Sequence, residues 1–266
     1  MKNKLKYLKN LLKVLIWPIV FTIGSYFINF IFVCIFNSKE KGTMTNNEFI
    51  EYIKTIEYQD KLNNYISNKT LIIVLITLII FLPIFYKLVK KYKKDNNFKL
   101  KNIFLPIILG ITISLIYNII LFNLNNIFHF TNAFQLSSIP VIIQIISSGI
   151  IGPILEELVF RGIVYNKLKE FNKPIISIIL CSVIFSLMHS NIMDMIYAFI
   201  VSFVFIYLYE KYKTLKAPII MHMSLNITII LMIKLISYNF IIFNLYLLVV
   251  SIIILLIIRK KCIIKK

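Results

Sequence analysis

Long apolar runs separated by short polar connections dominate this chain. Most of these runs are close to the roughly 20 residues that an α-helix needs to cross a bilayer core of about 30 Å. The pattern therefore predicts an all-α fold, a polytopic integral membrane bundle of about eight transmembrane helices. The eight runs lie near 14–36, 71–89, 103–124, 140–165, 175–188, 192–209, 218–236 and 240–258.

One of these runs, 175–188, is too short to cross a bilayer comfortably. We expect it to form a tight hairpin with the run at 192–209, with the tip below the outer membrane surface. Irregular backbone at such a depth is tolerated only where protein surrounds it or where it lines a cavity. The hairpin therefore indicates a cavity inside the membrane.

The composition and the charge agree with a membrane protein. Of the 266 residues, 59% are hydrophobic, and the net charge is +19 although there are only two arginines, Arg161 and Arg259. The mean hydropathy is +0.84. Lysine clusters occupy alternate connections, which by the positive-inside rule predicts that both termini are cytoplasmic. Because these clusters lie at the ends of apolar runs, they suit anionic lipid head groups, and we expect no nucleic-acid partner.

The polar connections divide the chain into three predicted parts. Residues 1–138 hold three membrane helices and an outer polar segment, 37–70, which we interpret as a short amphipathic stretch rather than a second domain. Residues 139–236 form a core that carries the polar residues within the membrane, and 237–266 form a last membrane helix with a basic tail. The three cysteines show no paired spacing, so no disulfide framework is expected.

Charged residues inside an apolar run are costly and indicate a functional site. The sequence EELVFR places Glu156, Glu157 and Arg161 within such a run. Glu157 and Arg161 are four residues apart on one helix face, which predicts an ion pair that supports the helix. Neighbouring residues point about 100° apart, so Glu156 faces elsewhere and is the candidate base.

Two further runs carry the other candidate residues. In FSLMH, Phe185 and His189 are four residues apart, and in HMSLN the same spacing separates His222 from Asn226. Each pair should share a helix face. A cavity open toward the cytoplasm would bring these groups to Glu156. The third histidine, His129, lies in an uncharged outer connection and is interpreted as an interfacial residue.

These residues support hydrolysis in two ways. In one, Glu156, His189 and His222 hold a divalent metal such as zinc, which acidifies a bound water. In the other, Glu156 and His189 deprotonate a water directly, while His222 and Asn226 donate hydrogen bonds to the oxyanion. The sequence does not choose between them, and it contains no HExxH motif. The need for a cofactor therefore stays open.

The three motifs resemble the EExxxR, FxxxH and HxxxN motifs of the CAAX-protease and bacteriocin-processing family of intramembrane proteases, also called the Abi family. The resemblance covers roughly residues 139–232. It implies an eight-helix membrane endopeptidase in which Glu156 activates water with His189. It also implies that His222 and Asn226 stabilise the oxyanion, and that Glu157 and Arg161 hold the helix in place. We therefore expect 139–236 to be a protease-like core.

The substrate follows only from analogy with that family. A membrane-associated or lipidated peptide in the membrane of a bacterial cell is the expected partner, together with the bilayer itself. The alternative is a non-catalytic immunity protein that captures a bacteriocin or another peptide in the same cavity. A transporter is less well supported, because the charges do not trace a path across the membrane.

Overall fold

The structure, a computed structural model, describes residues 2–92, 98–128 and 139–236. These residues form helices joined by short turns, with one 3₁₀ turn at Leu100–Asn102. The predicted last helix, 240–258, and His129 lie outside the described residues. The helices are α1 (Lys2–Lys41), α2 (Asn46–Tyr52), α3 (Ile56–Lys90), α4 (Phe104–Phe128), α5 (Val141–Lys169), α6 (Pro174–Ser186), α7 (Ile192–Tyr212) and α8 (Lys216–Ile236).

The predicted class, a polytopic helical membrane bundle, is confirmed. Within the described residues, six helices are long and apolar enough to cross a membrane: α1, α3, α4, α5, α7 and α8. Their exposed surfaces carry large apolar side chains, such as Ile23, Phe27 and Ile79, which are 63%, 60% and 71% exposed. In lipid such a surface is the ordinary outside of a bundle. The total of eight crossings and the side on which each terminus lies stay predictions.

The polar segment 37–70 differs from the short amphipathic stretch predicted from its sequence. Helix α1 continues through its first residues to Lys41, and α3 begins as early as Ile56. Only α2 lies between them as a separate helix, and it begins with a capping box between Thr45 and Glu48. The prediction placed helix ends where hydropathy falls. Helical hydrogen bonding, in contrast, continues as long as the residues allow it.

The short hairpin predicted from the fifth and sixth runs is present. Helix α6 has 13 residues and begins with Pro174 in its first turn. A turn over residues 187–191 then leads into α7, whose first turn is capped by the side chain of Asn191. Helix α6 ends three residues before His189, so this histidine lies in the turn at the hairpin tip.

Helix α5, which carries the EELVFR motif, is irregular on both sides of that motif. Ile145–Ile151 and Leu158–Tyr165 are π-helical, and the two glutamates end the short α-helical stretch between them, Gly152–Glu157. A π-helical turn widens the helix and displaces its carbonyls from their usual partners, and such turns are frequent at functional sites. Two carbonyls of the second π-helical stretch, those of Arg161 and Gly162, accept hydrogen bonds from the side chain of Asn166. This side chain supplies a partner where the π-helical geometry has displaced the usual one.

The core of the bundle lies around α5, which contacts α1, α3, α6, α7 and α8. Helix α8 is fixed from its other side by α4 at Gly110. A side chain at Gly110 would place its Cβ 2.4 Å from the carbonyl oxygen of Met221, so only glycine allows this close approach. Met221 is buried and precedes His222 in the chain. This helix contact therefore fixes the backbone that carries His222.

Candidate active site

The site contains a buried ionic cluster formed by Glu157, Arg161, His222 and Ser202. Oε1 of Glu157 accepts hydrogen bonds from Nη1 of Arg161 and from Nδ1 of His222, both at 2.9 Å. Nη2 of Arg161 donates to Oγ of Ser202 at 2.8 Å. Both members of the ion pair are fully buried. The ion pair predicted from the EELVFR spacing is thus present, and His222 joins it.

Aromatic rings enclose the guanidinium group of Arg161. Its central carbon lies 4.4 Å from the ring centroid of Phe185 and 4.7 Å from that of Phe205. The ring of Phe205 also stacks on His222, with centroids 4.7 Å apart and an interplanar angle of 28°. Phe185 contacts both imidazoles edge to face, at 5.2 Å from His189 and 6.1 Å from His222. Phe185, predicted as a supporting residue, therefore packs between the charged groups.

Glu157 fixes the protonation of His222 on one side of its ring. An ionised carboxylate can only accept hydrogen bonds, so Nδ1 of His222 carries a hydrogen toward Oε1 of Glu157. The opposite nitrogen, Nε2, then faces Oε2 of Glu156 at 3.8 Å. A hydrogen bond to one ring nitrogen of a histidine commonly determines whether the other ring nitrogen carries a proton. His222 therefore connects the buried cluster to Glu156.

Glu156 lies in a different environment from its neighbour Glu157. Its side chain is 31% exposed, whereas that of Glu157 is fully buried. It lines a cavity of about 360 Å³ together with His189, as the sequence predicted. The cavity reaches the surface of the bundle, where the lining residues Tyr26 and Met188 are 72% and 42% exposed. Glu156 is thus open to this cavity rather than enclosed by protein.

His189 is oriented by the backbone of its own turn. Its Nδ1 lies 3.2 Å from the carbonyl oxygen of Phe185. Because a carbonyl only accepts, Nδ1 carries the hydrogen and Nε2 is left for other partners. The half-buried ring lines the same cavity as Glu156.

Asn226 lies elsewhere than the sequence suggested. Its Nδ2 donates to the carbonyl oxygen of Ser148 at 2.8 Å, within the first π-helical stretch of α5. The residues lining the cavity include neither Asn226 nor His222, but Nε2 of His222 lies 3.8 Å from Oε2 of Glu156. The structure thus brings Glu156, His189 and His222 together, and it ties Asn226 to the backbone of α5. Its predicted role at the oxyanion stays a prediction.

The predicted metal ligands are Glu156, His189 and His222. Among residues 2–92, 98–128 and 139–236, no three His, Cys, Asp or Glu side chains lie close enough together to hold a metal ion. Nδ1 of each histidine is engaged, by Glu157 in one case and by the backbone in the other. Metal-binding histidines commonly donate their other ring N–H to a carboxylate or a backbone carbonyl, and here Nε2 of His189 and of His222 is left for a further partner, so the metal alternative stays a prediction.

Sequence reasoning missed two residues of the buried cluster, Ser202 and Phe205. Both lie on α7, four and seven residues after Ala198, on a helix face that is buried against α5. A small polar residue within an apolar run was the available signal for Ser202. Phe205 gave no signal, since it is one of 22 phenylalanines in a membrane protein.

Comparison with known proteins covers the stretch of chain that carries the three motifs. Residues 138–228 match the family model described as Type II CAAX prenyl endopeptidase Rce1-like. The predicted family resemblance is confirmed. The matched stretch contains all three motifs, and it excludes α1, α2, α3 and α4.

A relative from Bacillus subtilis (strain 168), named "Putative membrane peptidase YdiL", is 34% identical over 90 residues. The match covers 34% of this chain and 37% of the relative, so it spans little more than a third of either protein. No solved structure matches the chain. The similarity therefore concerns the core of the bundle rather than the whole protein.

Proposed function

We propose that this protein is an intramembrane endopeptidase in which Glu156 activates a water molecule to hydrolyse a peptide bond. The observation that carries the proposal is the separation of the two adjacent carboxylates. Glu157 is fully buried and holds Arg161 and His222, whereas Glu156 is partly exposed in a cavity beside His189. A general base must reach water and substrate, and of the two only Glu156 does.

The proposed reaction uses groups of this chain alone. Glu156 removes a proton from water as the water oxygen bonds to the peptide carbonyl carbon, and the carbonyl oxygen becomes an oxyanion. The Glu156 carboxyl then gives that proton to the leaving nitrogen as the carbon–nitrogen bond breaks. His189, on the same cavity wall, assists in holding the water through Nε2. The products are a carboxylic acid and an amine, and transfer of the acid proton to the amine gives a carboxylate and an ammonium group.

His222 is the proposed donor to the oxyanion. Glu157 holds its Nδ1, and its Nε2 faces Glu156, so an N–H at Nε2 would donate a hydrogen bond beside the reacting carboxylate. A fixed donor stabilises developing negative charge because it needs no reorganisation during the reaction. Asn226 is the proposed second donor: its amide has two N–H groups, and only one is needed for the carbonyl of Ser148.

The proposed substrate is a membrane-associated or lipidated peptide. The family description names a prenyl endopeptidase that acts on CAAX sequences. A prenylated CAAX peptide is therefore the first substrate to test, and access to the cavity from the cytoplasmic side is proposed from the lysine distribution. Bacteriocin maturation would use the same chemistry on another peptide.

The test is cleavage of an internally quenched prenylated CAAX peptide by the full-length protein in lipid nanodiscs. Wild type should cleave the peptide and Glu156→Gln should not, although both should be equally folded. Glu51→Gln is the matched control, because this exposed glutamate forms a surface ion pair with Lys54, away from the cavity. Retained cleavage by Glu156→Gln would remove Glu156 as the base.

A second measurement searches for the natural substrate and tests the non-catalytic alternative. Membrane peptides are compared between cells that express wild type and cells that express Glu156→Gln. A peptide that is shortened only with wild type identifies a substrate. If Glu156→Gln protects cells from a bacteriocin as well as wild type does, the cavity captures peptide without cleaving it. Treating the purified protein with a chelator tests the metal alternative in the same cleavage assay.

A further inference from the structure

The cavity that holds Glu156 has a second wall, which lies outside the stretch matched by the family. Helix α1 contributes this wall, and four of its five lining residues carry a polar group: Thr22, Ser25, Tyr26 and Asn29. Thr22, Ser25 and Asn29 have the spacing i, i+3, i+7, so they share one face of α1. We refer to these three residues as the α1 polar face. In an otherwise apolar membrane helix, such a face needs an explanation.

Asn29 is the member of the α1 polar face with an unused hydrogen-bonding group. Its Oδ1 is buried and has no hydrogen-bond partner among the described residues. A buried acceptor without a partner costs about 1–3 kcal/mol of free energy. The other two members have partners, since Ser25 donates to the carbonyl of Phe21 and Thr22 contacts the sulfur of Met188 at 3.2 Å. Asn29 therefore keeps an acceptor that the described part of the protein does not use.

Packing does not account for Asn29. Amide side chains in membrane helices often bond across to a neighbouring helix, but this carboxamide oxygen has no such bond within the described residues. The contact of α1 with α3 is made by another face, where Gly24 lets the ring of Phe81 approach. A Cβ at position 24 would lie 2.4 Å from that ring. Helix α1 is thus held from one side while its polar face borders the cavity.

The dimensions of the α1 polar face suit a peptide backbone. Seven residues separate Thr22 from Asn29, which corresponds to about 10 Å at 1.5 Å per residue. An extended peptide advances about 3.3 Å per residue, so about three substrate residues can lie along this face. Backbone N–H groups inside a membrane must be satisfied by protein. The Oδ1 atom and the hydroxyl oxygens of the face can accept hydrogen bonds from them.

We propose that Thr22, Ser25 and Asn29 bind the backbone of an extended substrate segment and present its scissile bond to Glu156, with Asn29 as the main contact. This inference rests on the proposed function and extends it to the class of substrate. Recognition through the backbone tolerates many side chains and requires an unfolded, extended segment. Helix α1 is thereby a part of the active site rather than only a membrane anchor.

The test measures kcat, KM and unfolding temperature of full-length variants in nanodiscs with the prenylated CAAX peptide. Asn29→Leu should raise KM about three- to tenfold while kcat stays within about twofold, because a contact made equally before and during the reaction affects binding. Its unfolding temperature should not fall, since the substitution removes a buried group without a partner. Asn29→Gln, which keeps the carboxamide, should recover part of the loss.

Two further variants complete the design. Ser25→Ala should raise KM about twofold. If Asn29→Leu does not fold, the KM of Ser25→Ala tests the proposed role of the α1 polar face by itself. Asn68→Leu is the matched control, because it makes the same change at an exposed amide of α3 outside the cavity. It should match wild type in kcat and KM.

The outcomes separate this inference from the proposed function. If wild type cleaves the peptide and the Asn29 and Ser25 variants keep its KM, the inference is wrong and the proposed function stands. A joint fall of kcat and unfolding temperature in Asn29→Leu, with no recovery in Asn29→Gln, would assign Asn29 a structural role. If wild type cleaves neither this peptide nor any membrane peptide in the comparison with Glu156→Gln, the proposed function fails and this inference fails with it.

Discussion

Glu156 and Glu157 are adjacent in the chain, yet they belong to two regions with opposite properties. Glu157 lies in the buried ionic cluster, where Arg161 and His222 share one of its oxygens and two phenylalanine rings enclose the guanidinium. Glu156 lies in the cavity and is partly exposed, and within the described part of the chain its nearest polar partner is His222 at 3.8 Å. A step of one residue, about 100° around the helix, thus separates a carboxylate that supports the structure from one that can react.

The largest expected effect comes from neutralising each of these carboxylates in turn. Glu156→Gln should lower the cleavage rate by about 10²–10⁴-fold, the usual contribution of a general base, with little change in unfolding temperature. Glu157→Gln should instead lower the unfolding temperature, because Arg161 loses its counter-charge. Cleavage rates and thermal unfolding of both variants in nanodiscs provide the measurement. Equal loss of stability in the two variants would contradict the division into two regions.

Arg161→Met tests the buried cluster directly. Removing one partner of a buried ion pair leaves the other charge uncompensated, which typically costs about 3–5 kcal/mol of stability. We expect a loss of that size in the free energy of unfolding, measured by denaturant titration in detergent. The double variant Glu157→Met/Arg161→Met should recover part of it, since no lone charge remains. A double variant less stable than Arg161→Met would show that the cluster is not held by charge pairing.

His222→Phe tests the residue that connects the two regions. Phenylalanine keeps the stacking on Phe205 but removes both nitrogens. Activity should fall by about 10²–10³-fold, as expected when an oxyanion donor is lost. Stability should also fall, because Glu157 loses a hydrogen bond. His222→Phe should therefore have the low activity of Glu156→Gln and the low stability of Glu157→Gln. Wild-type activity would remove His222 from the reaction.

Ser202→Ala is expected to have a smaller effect and to act on stability alone. Nη2 of Arg161 loses its acceptor, which corresponds to about 1 kcal/mol for one buried hydrogen bond. The matched control is Ser177→Ala, since Ser177 is equally buried but donates only to the carbonyl of Lys173 in its own helix. Unfolding temperature and cleavage rate are measured for both. A lower cleavage rate in Ser202→Ala at full stability would contradict a purely supporting role for the cluster.

Sequence periodicity was sufficient to predict the part of the site that depends on a single helix. The four-residue spacing predicted the ion pair of Glu157 with Arg161, and the 100° rotation per residue predicted that Glu156 faces elsewhere. The hydropathy pattern likewise predicted the membrane bundle and the short α6 hairpin. These features follow from local geometry, so no knowledge of neighbouring helices was needed.

Contacts between helices could not be predicted in the same way. The bond of His222 to Glu157, the acceptor that Ser202 gives Arg161, and the bond of Asn226 to Ser148 join residues 41 to 78 positions apart. The π-helical stretches of α5 also escaped prediction, because i→i+5 hydrogen bonding has no characteristic hydrophobic period. The polar face of α1 was visible in the sequence, but only the structure brings it to the cavity of Glu156.

The smallest expected effect concerns Glu170, a third carboxylate, which follows α5 directly and lies outside its membrane-spanning stretch. A hydrogen bond from the Tyr92 hydroxyl, with help from Lys91, lowers the pKa of Glu170. A carboxyl group with a lowered pKa stabilises the folded state at pH values above its unfolded pKa, and this contribution is lost as the pH falls through the folded value. The group is half exposed, so we expect about 1 kcal/mol or less.

Comparison of wild type with Glu170→Gln in unfolding temperature between pH 7 and pH 3 measures this contribution. Wild type should be slightly more stable at pH 7, and the difference should vanish in acid as Glu170 becomes protonated. Cleavage at pH 7 should be the same in both, because Glu170 neither belongs to the buried cluster nor lines the cavity. If the difference in unfolding temperature grows as the pH falls, the ionised form of Glu170 does not stabilise the fold. A loss of cleavage in Glu170→Gln would extend the reactive region to the end of α5.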